Sequence, residues 1–244
     1  MVEKCIGMKA IILAAGRGSR MHQLTDDRPK CLIELRGKPL LEWQMEALRS
    51  AGINDIGIVT GYRREQLKDY GLVEFHNPAW ATTQMVSSLT AAAAWLAQSV
   101  CIISYSDIFY DSSAVRALMQ CDADLAITYD PAWLELWSDR FTDPLLDAET
   151  FRVAADGRLL EIGNKPKSVE EIQGQYMGLV RMTPQGWQQL TRLRSTMQAK
   201  DRDAQHMTTA LQSLIELTAL RMIALPYTGD WGEIDNQNDL MIYE

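Results

Sequence analysis

The chain has 244 residues, of which 47% are hydrophobic and 23% are charged, and its formal net charge is −8 at pH 7. This composition is typical of a globular protein with a full core, and it excludes disordered, collagen-like and charged-repeat architectures. The acidic balance disfavours nucleic-acid binding. No apolar run reaches the roughly 18 residues of a membrane span. Residues 1–9 lack a signal-peptide pattern, so we expect a cytoplasmic protein with neither nucleic acid nor membrane as a partner.

The cysteines and histidines show no metal-site spacing. The four cysteines (Cys5, Cys31, Cys101 and Cys121) include no Cys-x-x-Cys pair, which argues against a zinc site or a redox motif. We therefore expect reduced, structural thiols. His206 has no partner at ligand spacing, and we expect it to be a surface residue.

Short β-branched runs alternate with amphipathic helices, which predicts an α/β fold with a largely parallel sheet. In residues 1–130 the pattern predicts helices over 40–51, 85–98 and 111–120. Strands are predicted over 9–13, 56–60, 72–75, 100–104 and 124–129. Asp111 is the expected N-cap of the third helix.

Residues 131–244 follow a different pattern. Asp156-Gly157 lies between two apolar runs and predicts a β-hairpin. Further strands are predicted over 175–182 and 220–225, with a helix that begins at Thr183-Pro184 and another over 206–217. No linker separates the two parts, so residues 1–244 are predicted to form one domain with a small antiparallel addition.

A glycine loop follows the first strand: residues 13–21 read Leu-Ala-Ala-Gly-Arg-Gly-Ser-Arg-Met. Gly16 and Gly18 would let backbone N–H groups approach a phosphate, although glycine pairs are equally common in tight turns. A dinucleotide-binding fingerprint is excluded because Met21 stands where it needs a third glycine. A P-loop is excluded because Gly37-Lys38 is followed by Pro39.

Positive charge is concentrated close to this loop. Arg17, Arg20, Arg28 and Lys30 lie within a short stretch of an otherwise acidic chain. Pro29 fixes the backbone just before Lys30, which suits a lysine that must be aimed at a ligand. A solvated basic loop is the alternative, above all for Arg20 and Arg28.

The glycine loop and the later Arg-Pro-Lys-Cys-Leu-Ile-Glu-Leu run resemble the nucleotidyltransferases that make nucleotide-activated sugars and alcohols. That family's signature is a strand, then Leu-x-x-Gly-x-Gly-x-Arg, then Pro-Lys. Four later pieces are most similar to bacterial CTP:phosphocholine and phosphonate cytidylyltransferases: residues 84–89, Asp107, residues 175–179 and residues 231–236. The resemblance covers nearly the whole chain.

The resemblance implies a Rossmann-like three-layer α/β/α fold with a mixed, mainly parallel central sheet. Residues 1–130 would be the nucleotide-binding half and residues 131–244 the acceptor-binding half. The implied activity is Mg²⁺-dependent transfer of CMP from CTP to a small phosphorylated alcohol or a phosphonate, with release of pyrophosphate. A sugar-1-phosphate nucleotidylyltransferase and a non-catalytic nucleotide-sensing module remain alternatives. A homodimer is compatible with the sequence, which leaves the oligomeric state open.

The resemblance also assigns residues to the nucleotide and the metal. Lys30 and Arg17 would be catalytic, and Asp107 and Asp235 would bind Mg²⁺. Both aspartates also suit backbone capping, and Gln84 suits capping of the helix that follows it. The nucleotide would be bound by Leu13, Ala14, Ala15, Gly16, Gly18, Gln84 and Ser88.

The acceptor site is implied less directly. Lys165 stands in Asn-Lys-Pro where the family has Glu-Lys-Pro, so Asn164 weakens the match and also counts against a sugar phosphate. Arg140 is compatible with an anionic acceptor. An aromatic box could hold a trimethylammonium group, although tryptophans four residues apart on a helix more often pack together. The implied acceptor residues are Lys165, Tyr176, Trp133, Trp137 and Trp231.

Overall fold

A computed structural model describes residues 7–218 and 220–244. In chain order the first part contains β1 (Lys9–Ala14), β2 (Glu34–Leu35), β3 (Lys38–Pro39), α1 (Leu40–Ser50), β4 (Ile56–Thr60), β5 (Val73–His76), α2 (Met85–Leu89), α3 (Ala93–Leu96), β6 (Cys101–Tyr105), β7 (Ile108–Tyr110), α4 (Ser112–Gln120) and β8 (Leu125–Asp130). The second part contains α5 (Trp133–Arg140), β9 (Phe151–Val153), β10 (Leu159–Ile162), β11 (Gln175–Met182), α6 (Pro184–Ser195), α7 (Ala199–Asp203), α8 (Met207–Leu217), β12 (Met222–Pro226), β13 (Trp231–Glu233) and α9 (Gln237–Tyr243).

Within the described residues, seven strands form one sheet in the order β12-β8-β11-β6-β1-β4-β5. The strand β11 runs antiparallel to both of its neighbours, and the remaining pairs are parallel. The central strand β1 is apolar along its length because it is covered on both faces, as parallel strands usually are; Ile11 and Ile12 have no exposed surface. The predicted fold class, a mixed and mainly parallel sheet with flanking helices, is confirmed.

Short antiparallel ribbons supplement the sheet. The ribbon β9–β10 is the hairpin that Asp156-Gly157 predicts. The ribbon β7–β13 joins two segments far apart in sequence, with Ile108 opposite Glu233. Its pairing continues through the N–H of Ile234, which donates to the carbonyl oxygen of Asp107 at 2.9 Å. The sequence did not predict this second ribbon. It brings Asp107, just before β7, close to the acidic residues at the end of β13.

The prediction of one continuous helix over residues 85–98 is wrong. It is divided into α2, a 3-10 turn over Thr90–Ala92, and α3. The Thr90 hydroxyl donates to the carbonyl of Ser87 at 2.6 Å. A hydroxyl bonded to a preceding carbonyl competes with the helical hydrogen bond and bends the helix.

The helices pack on the sheet and on one another. Helix α1 contacts α4, while α2 contacts α7 and α8. Asp111 caps α4 as predicted, because its side chain accepts the N–H of Ser113 at 2.8 Å. Of the predicted thiols, Cys31, Cys101 and Cys121 are free, and Cys5 lies outside the described residues. Among the described helices, none is both long and apolar enough to cross a bilayer.

Candidate active site

A central pocket of about 310 Å³ lies where β1 and β6 end, at the carboxyl edge of the parallel strands. Ligands of open α/β sheets bind at this edge. The pocket brings together the predicted residues Leu13, Ala15, Gly16, Gly18, Lys30, Gln84, Ser88 and Asp107. Arg20, Trp80, Thr83, Met85, Tyr105, Ser106 and His206 also line it. Ala14 faces the core and is 2% exposed, so any contact it makes with a nucleotide is through its backbone.

Gly18 is required at its position for two reasons. Its φ of +68° lies in the left-handed region, where residues with a side chain are strained. A Cβ atom there would lie 2.8 Å from Cδ of Lys30. Gly18 therefore lets the Lys30 side chain pass against the loop, while Gly16 has open space around it.

The Lys30 ammonium lies between two carboxylates. Its Nζ donates to Asp107 Oδ2 at 2.7 Å and to Asp235 Oδ1 at 2.6 Å, and the side chain is 7% exposed. Burial alone would lower the pKa of Lys30, but the charges of Asp107 and Asp235 raise it above its ordinary value. The lysine is therefore a permanent positive charge at neutral pH.

Asp107, Glu233 and Asp235 form a carboxylate cluster, in which one oxygen of each side chain lies within 4.8 Å of the others. Burial would raise the pKa of Asp235, but Lys30 and Arg20 hold it below its usual value. Burial and the charges of Asp235 and Asp107 raise the pKa of Glu233 to about 8. Among the described residues, the buried Oδ1 of Asp107 has no hydrogen-bond partner. A hard cation would satisfy these oxygens.

The fold explains why these carboxylates meet. The ribbon β7–β13 places Asp107, just before β7, beside the residues at the end of β13. From α1, the Gln44 amide donates to the carbonyl oxygens of Tyr105 and Ile108, which fixes the turn that carries Asp107. Glu233 was not predicted from the sequence. It is the last residue of β13 and lies two residues before Asp235, and side chains two apart in an extended chain point to the same side.

The opposite wall of the pocket is formed by α2. Gln84 occupies the N-cap position without a side-chain capping hydrogen bond, so its amide is not used in the way the capping alternative requires. Its backbone N–H donates to the carbonyl of Asp203 at 2.7 Å, which ties α2 to the segment before His206. The Ser88 hydroxyl accepts from Asn77 Nδ2 at 2.9 Å. His206 lines the pocket as the N-cap of α8, a role that its lack of ligand spacing did not reveal.

The two arginines of the glycine loop have different positions. Arg17 is bonded to Asp26 at 2.6 Å and lies along a neighbouring surface depression, outside the central pocket. Arg20 lines the pocket and donates to Asp235 Oδ1 at 2.8 Å. The structure therefore places Arg20, and not Arg17, next to the carboxylate cluster.

The predicted aromatic box is packed into the core, which corrects the expectation for Trp133 and Trp137. Each is 3% exposed, and their rings contact edge to face at 6.2 Å. Trp133 Nε1 donates to the carbonyl of Ile172. Trp231 is also buried and donates to Asp130 Oδ2 at 3.1 Å. The packing alternative explains the two helical tryptophans, because the apolar face of α5 is turned towards the core.

The other two predicted acceptor residues also lie away from open pocket surface. The Tyr176 hydroxyl is buried, and its ring packs edge to face on Tyr105 at 5.6 Å, behind the pocket wall. Burial raises the pKa of Tyr176 well above its ordinary value. Lys165 donates to the carbonyl oxygens of Leu145 and Leu146. In this structure it connects two loops of the second half.

Comparison with known proteins gives matches that extend along the whole chain. Over 254 aligned positions it is 37% identical to a CTP:phosphoglutamine cytidylyltransferase of Campylobacter jejuni, which covers 96% of this chain and 98% of that protein. A choline-phosphate cytidylyltransferase of Streptococcus pneumoniae is 42% identical over 106 positions, or 42% of this chain and 46% of that protein.

A solved structure shares the fold. The CTP:phosphocholine cytidylyltransferase of Streptococcus pneumoniae has a TM-score of 0.71 at 21% identity, with 97% of each chain covered. The model of the MobA-like NTP transferase domain matches residues 10–175, which include the glycine loop, Lys30 and Asp107. The chain belongs to the family of MobA-like NTP transferase domains.

Proposed function

We propose that the protein is a Mg²⁺-dependent cytidylyltransferase that transfers CMP from CTP to a small phosphorylated acceptor. The observation that carries the proposal is the position of Lys30, whose ammonium lies on the central pocket between Asp107 and Asp235. The similarity along the whole chain to a CTP:phosphoglutamine cytidylyltransferase supports CTP as the donor and a phosphorylated compound as the acceptor.

The reaction is a phosphoryl-type substitution. An acceptor phosphate oxygen attacks the α-phosphorus of CTP and forms a new P–O bond. The bond from the α-phosphorus to the oxygen that bridges to the β-phosphate breaks, and pyrophosphate leaves with that electron pair. An acceptor phosphate with a second pKa of about 6 is already an anion at neutral pH, so the step needs no general base. The protein has to orient two anions and offset their repulsion.

Lys30 is suited to the second task. Its charge is permanent, and it lies beside the backbone of the glycine loop, where the phosphates of a nucleotide would bind. A preorganised donor of this kind stabilises charge that develops in the transition state, and its loss typically costs about 10²–10³ in rate. We propose this role for Lys30, with Arg20 as a second positive group on the same wall.

The carboxylate cluster fits Mg²⁺. Its donors are hard oxygens, and Asp107 Oδ1 is buried without a partner among the described residues. Mg²⁺ is usually bound by one or two carboxylates together with substrate phosphates, and we propose Asp107 and Asp235 as these carboxylates. When bound, the ion would neutralise phosphate charge. The protein's part is to keep both side chains beside the Lys30 ammonium.

Gln84 and Ser88 are proposed to contact the cytidine. Both line the pocket opposite the carboxylate cluster. Ser88 is already held by Asn77, and the Gln84 amide makes no capping bond. The wall also contains Trp80, whose ring offers a flat apolar surface next to the glycine loop.

The acceptor is proposed to be phosphoglutamine or a similarly small phosphate or phosphonate. Burial of Trp133 and Trp137 removes the argument for a trimethylammonium group held between them. Ser106, which precedes Asp107, and His206 both line the pocket and give it a polar surface for the acceptor. The roles proposed for Lys165, Tyr176 and Trp231 would require these side chains to leave their present contacts.

A substrate panel tests the proposal. Pyrophosphate release is measured with each of the four ribonucleoside triphosphates and dTTP. The acceptors are phosphoglutamine, phosphocholine, 2-aminoethylphosphonate, 2-hydroxyethylphosphonate and glucose 1-phosphate. We expect turnover with CTP and a non-sugar acceptor that stops when EDTA is added. Turnover confined to glucose 1-phosphate with UTP or dTTP would contradict it, as would CTP binding without any pyrophosphate release.

A further inference from the structure

Arg140 is an arginine without exposed side-chain surface, at the end of α5. Its guanidinium contacts the rings of Trp137 and Phe141, with centroid distances of 5.0 and 5.1 Å. The burial excludes the sequence-based idea that Arg140 contacts an anionic acceptor. A buried charge is costly unless it is paired and hydrogen-bonded, so its partners indicate its purpose.

Those partners all belong to the segment that carries two of the three clustered carboxylates, Glu233 and Asp235. Nε and Nη2 donate to the two oxygens of Asp239 at 3.0 and 3.3 Å, and Nη1 donates to Glu233 Oε2 at 3.4 Å. Nη2 also lies 3.9 Å from Asp235 Oδ2. One planar guanidinium therefore touches three carboxylates of the same short stretch of chain.

Asp239 transmits this contact to the backbone of Asp235. Its Oδ2 accepts the N–H of Asp235 at 2.7 Å and the N–H of Asn236 at 3.0 Å. The second of these bonds belongs to the capping box that begins α9. Since Arg140 holds both oxygens of Asp239, it fixes the direction in which that carboxylate accepts, and so fixes the backbone from which the Asp235 side chain projects.

The arrangement also solves an electrostatic problem. Carboxyl groups that lie within 4.8 Å of one another repel when they are ionised, so the cluster needs positive charge beside it. Lys30 supplies charge from the pocket side, where substrates arrive. Arg140 supplies it from the buried side, which no substrate reaches, and it therefore stays in place throughout the reaction.

We infer that Arg140 is a positioning residue, which holds Asp235 and Glu233 in the geometry that binds the divalent ion. The inference rests on the proposed function. The fork shape of the guanidinium is essential, because a lysine in its place keeps the charge but cannot hold both oxygens of Asp239. Groups that orient metal ligands in this way typically contribute about 10–100-fold to metal affinity.

The test is Mn²⁺ affinity of the CTP-saturated protein without acceptor, measured by electron paramagnetic resonance against CTP alone. We expect Arg140→Lys to weaken Mn²⁺ binding about 10–100-fold, while CTP binding in EDTA changes by less than about twofold. The matched control is Arg36→Lys. Arg36 holds the same C-terminal segment through the carbonyl of Tyr243 and through Asp230, away from the cluster. We expect it to leave Mn²⁺ affinity unchanged.

The outcomes separate the inference from the proposed function. A folded Arg140→Lys variant that binds Mn²⁺ as the wild type does, with only a lower Tm, overturns the inference and leaves the proposed function standing. A wild-type protein that binds CTP but no Mn²⁺ overturns the metal part of the proposed function itself. Where Arg140→Lys does not fold, Asp239→Asn takes its place, because it keeps the shape and loses the ion pair. Mn²⁺ affinity at the wild-type level in that variant would also overturn the inference.

Discussion

The two walls of the central pocket are built in different ways. The first wall combines the glycine loop, residues 13–18, with Gln84 and His206. The side chains of Gln84 and His206 make no capping bonds at the helix starts they occupy. The carboxylate wall is assembled from distant segments, and its charges are paired with Lys30, Arg20 and Arg140. The side chains of Gln84 and His206 are therefore available to a ligand, while the carboxylates are held in place before a ligand arrives.

Removal of a carboxylate from the cluster is expected to have the largest effect on the rate. We expect Asp107→Ala to lower the Mg²⁺-dependent rate to about a thousandth or less, since it deletes an oxygen of the cluster and frees Lys30 on one side. Circular dichroism should show a retained fold. The control is Asp111→Ala, which removes the cap of α4. It should lower the free energy of unfolding by about 0.5–2 kcal/mol and leave the rate unchanged. Equal losses of rate in both variants would contradict the assignment.

Changing the glycine loop tests whether the two walls depend on each other. Gly18→Ala adds a Cβ atom 2.8 Å from Lys30 Cδ. We expect the displaced lysine to lower kcat by up to about 10²-fold. The left-handed backbone adds about 1–2 kcal/mol of destabilisation. Gly71→Ala has the same φ of +68° and no neighbour within 4 Å, so it measures the backbone cost alone. A kcat for Gly18→Ala equal to that of Gly71→Ala would show that the contact with Lys30 is unimportant.

The smallest expected effect concerns Asp130. Unlike the carboxylates of the cluster, it is buried and has no ion pair among the described residues. It accepts from the N–H of Ala132 and from Trp231 Nε1, and burial raises its pKa. A carboxyl whose pKa is raised in the folded state is most favourable to the fold below its unfolded pKa, and that contribution is lost as the pH rises from the unfolded pKa through the higher folded pKa. We therefore expect the Tm of Asp130→Asn to rise relative to that of the wild type as the pH increases above about 3.9, the ordinary pKa of an aspartate. A difference that is independent of pH would contradict this.

The features that could be predicted from the sequence are those formed by residues close together in the chain. Apolar periodicity predicted the first strand, the glycine spacing left phosphate binding and a tight turn open, and the resemblance to the nucleotidyltransferases assigned the role of Lys30. The antiparallel pairing of β7 with β13 could not be predicted, because Ile108 and Glu233 carry no local signal for each other. For the same reason Glu233 was not predicted, and Arg140 was connected with the acceptor and not with the carboxylates that it contacts. Trp133 and Trp137 were implied as acceptor residues with core packing as the alternative, and their burial agrees with the alternative. Helical spacing fixes which face they share but not whether that face is buried.

Steady-state kinetics of Lys30→Ala are the most direct test of the proposal that Lys30 stabilises the transition state of CMP transfer. We expect kcat for CMP transfer to fall by about 10²–10³, while the KM for CTP stays within a few-fold of the wild-type value, because the lysine stabilises charge that is greatest in the transition state. A rise in the KM for CTP with kcat unchanged would contradict it. Lys30 would then be a binding residue only, and the catalysis would have to come from groups elsewhere in the pocket.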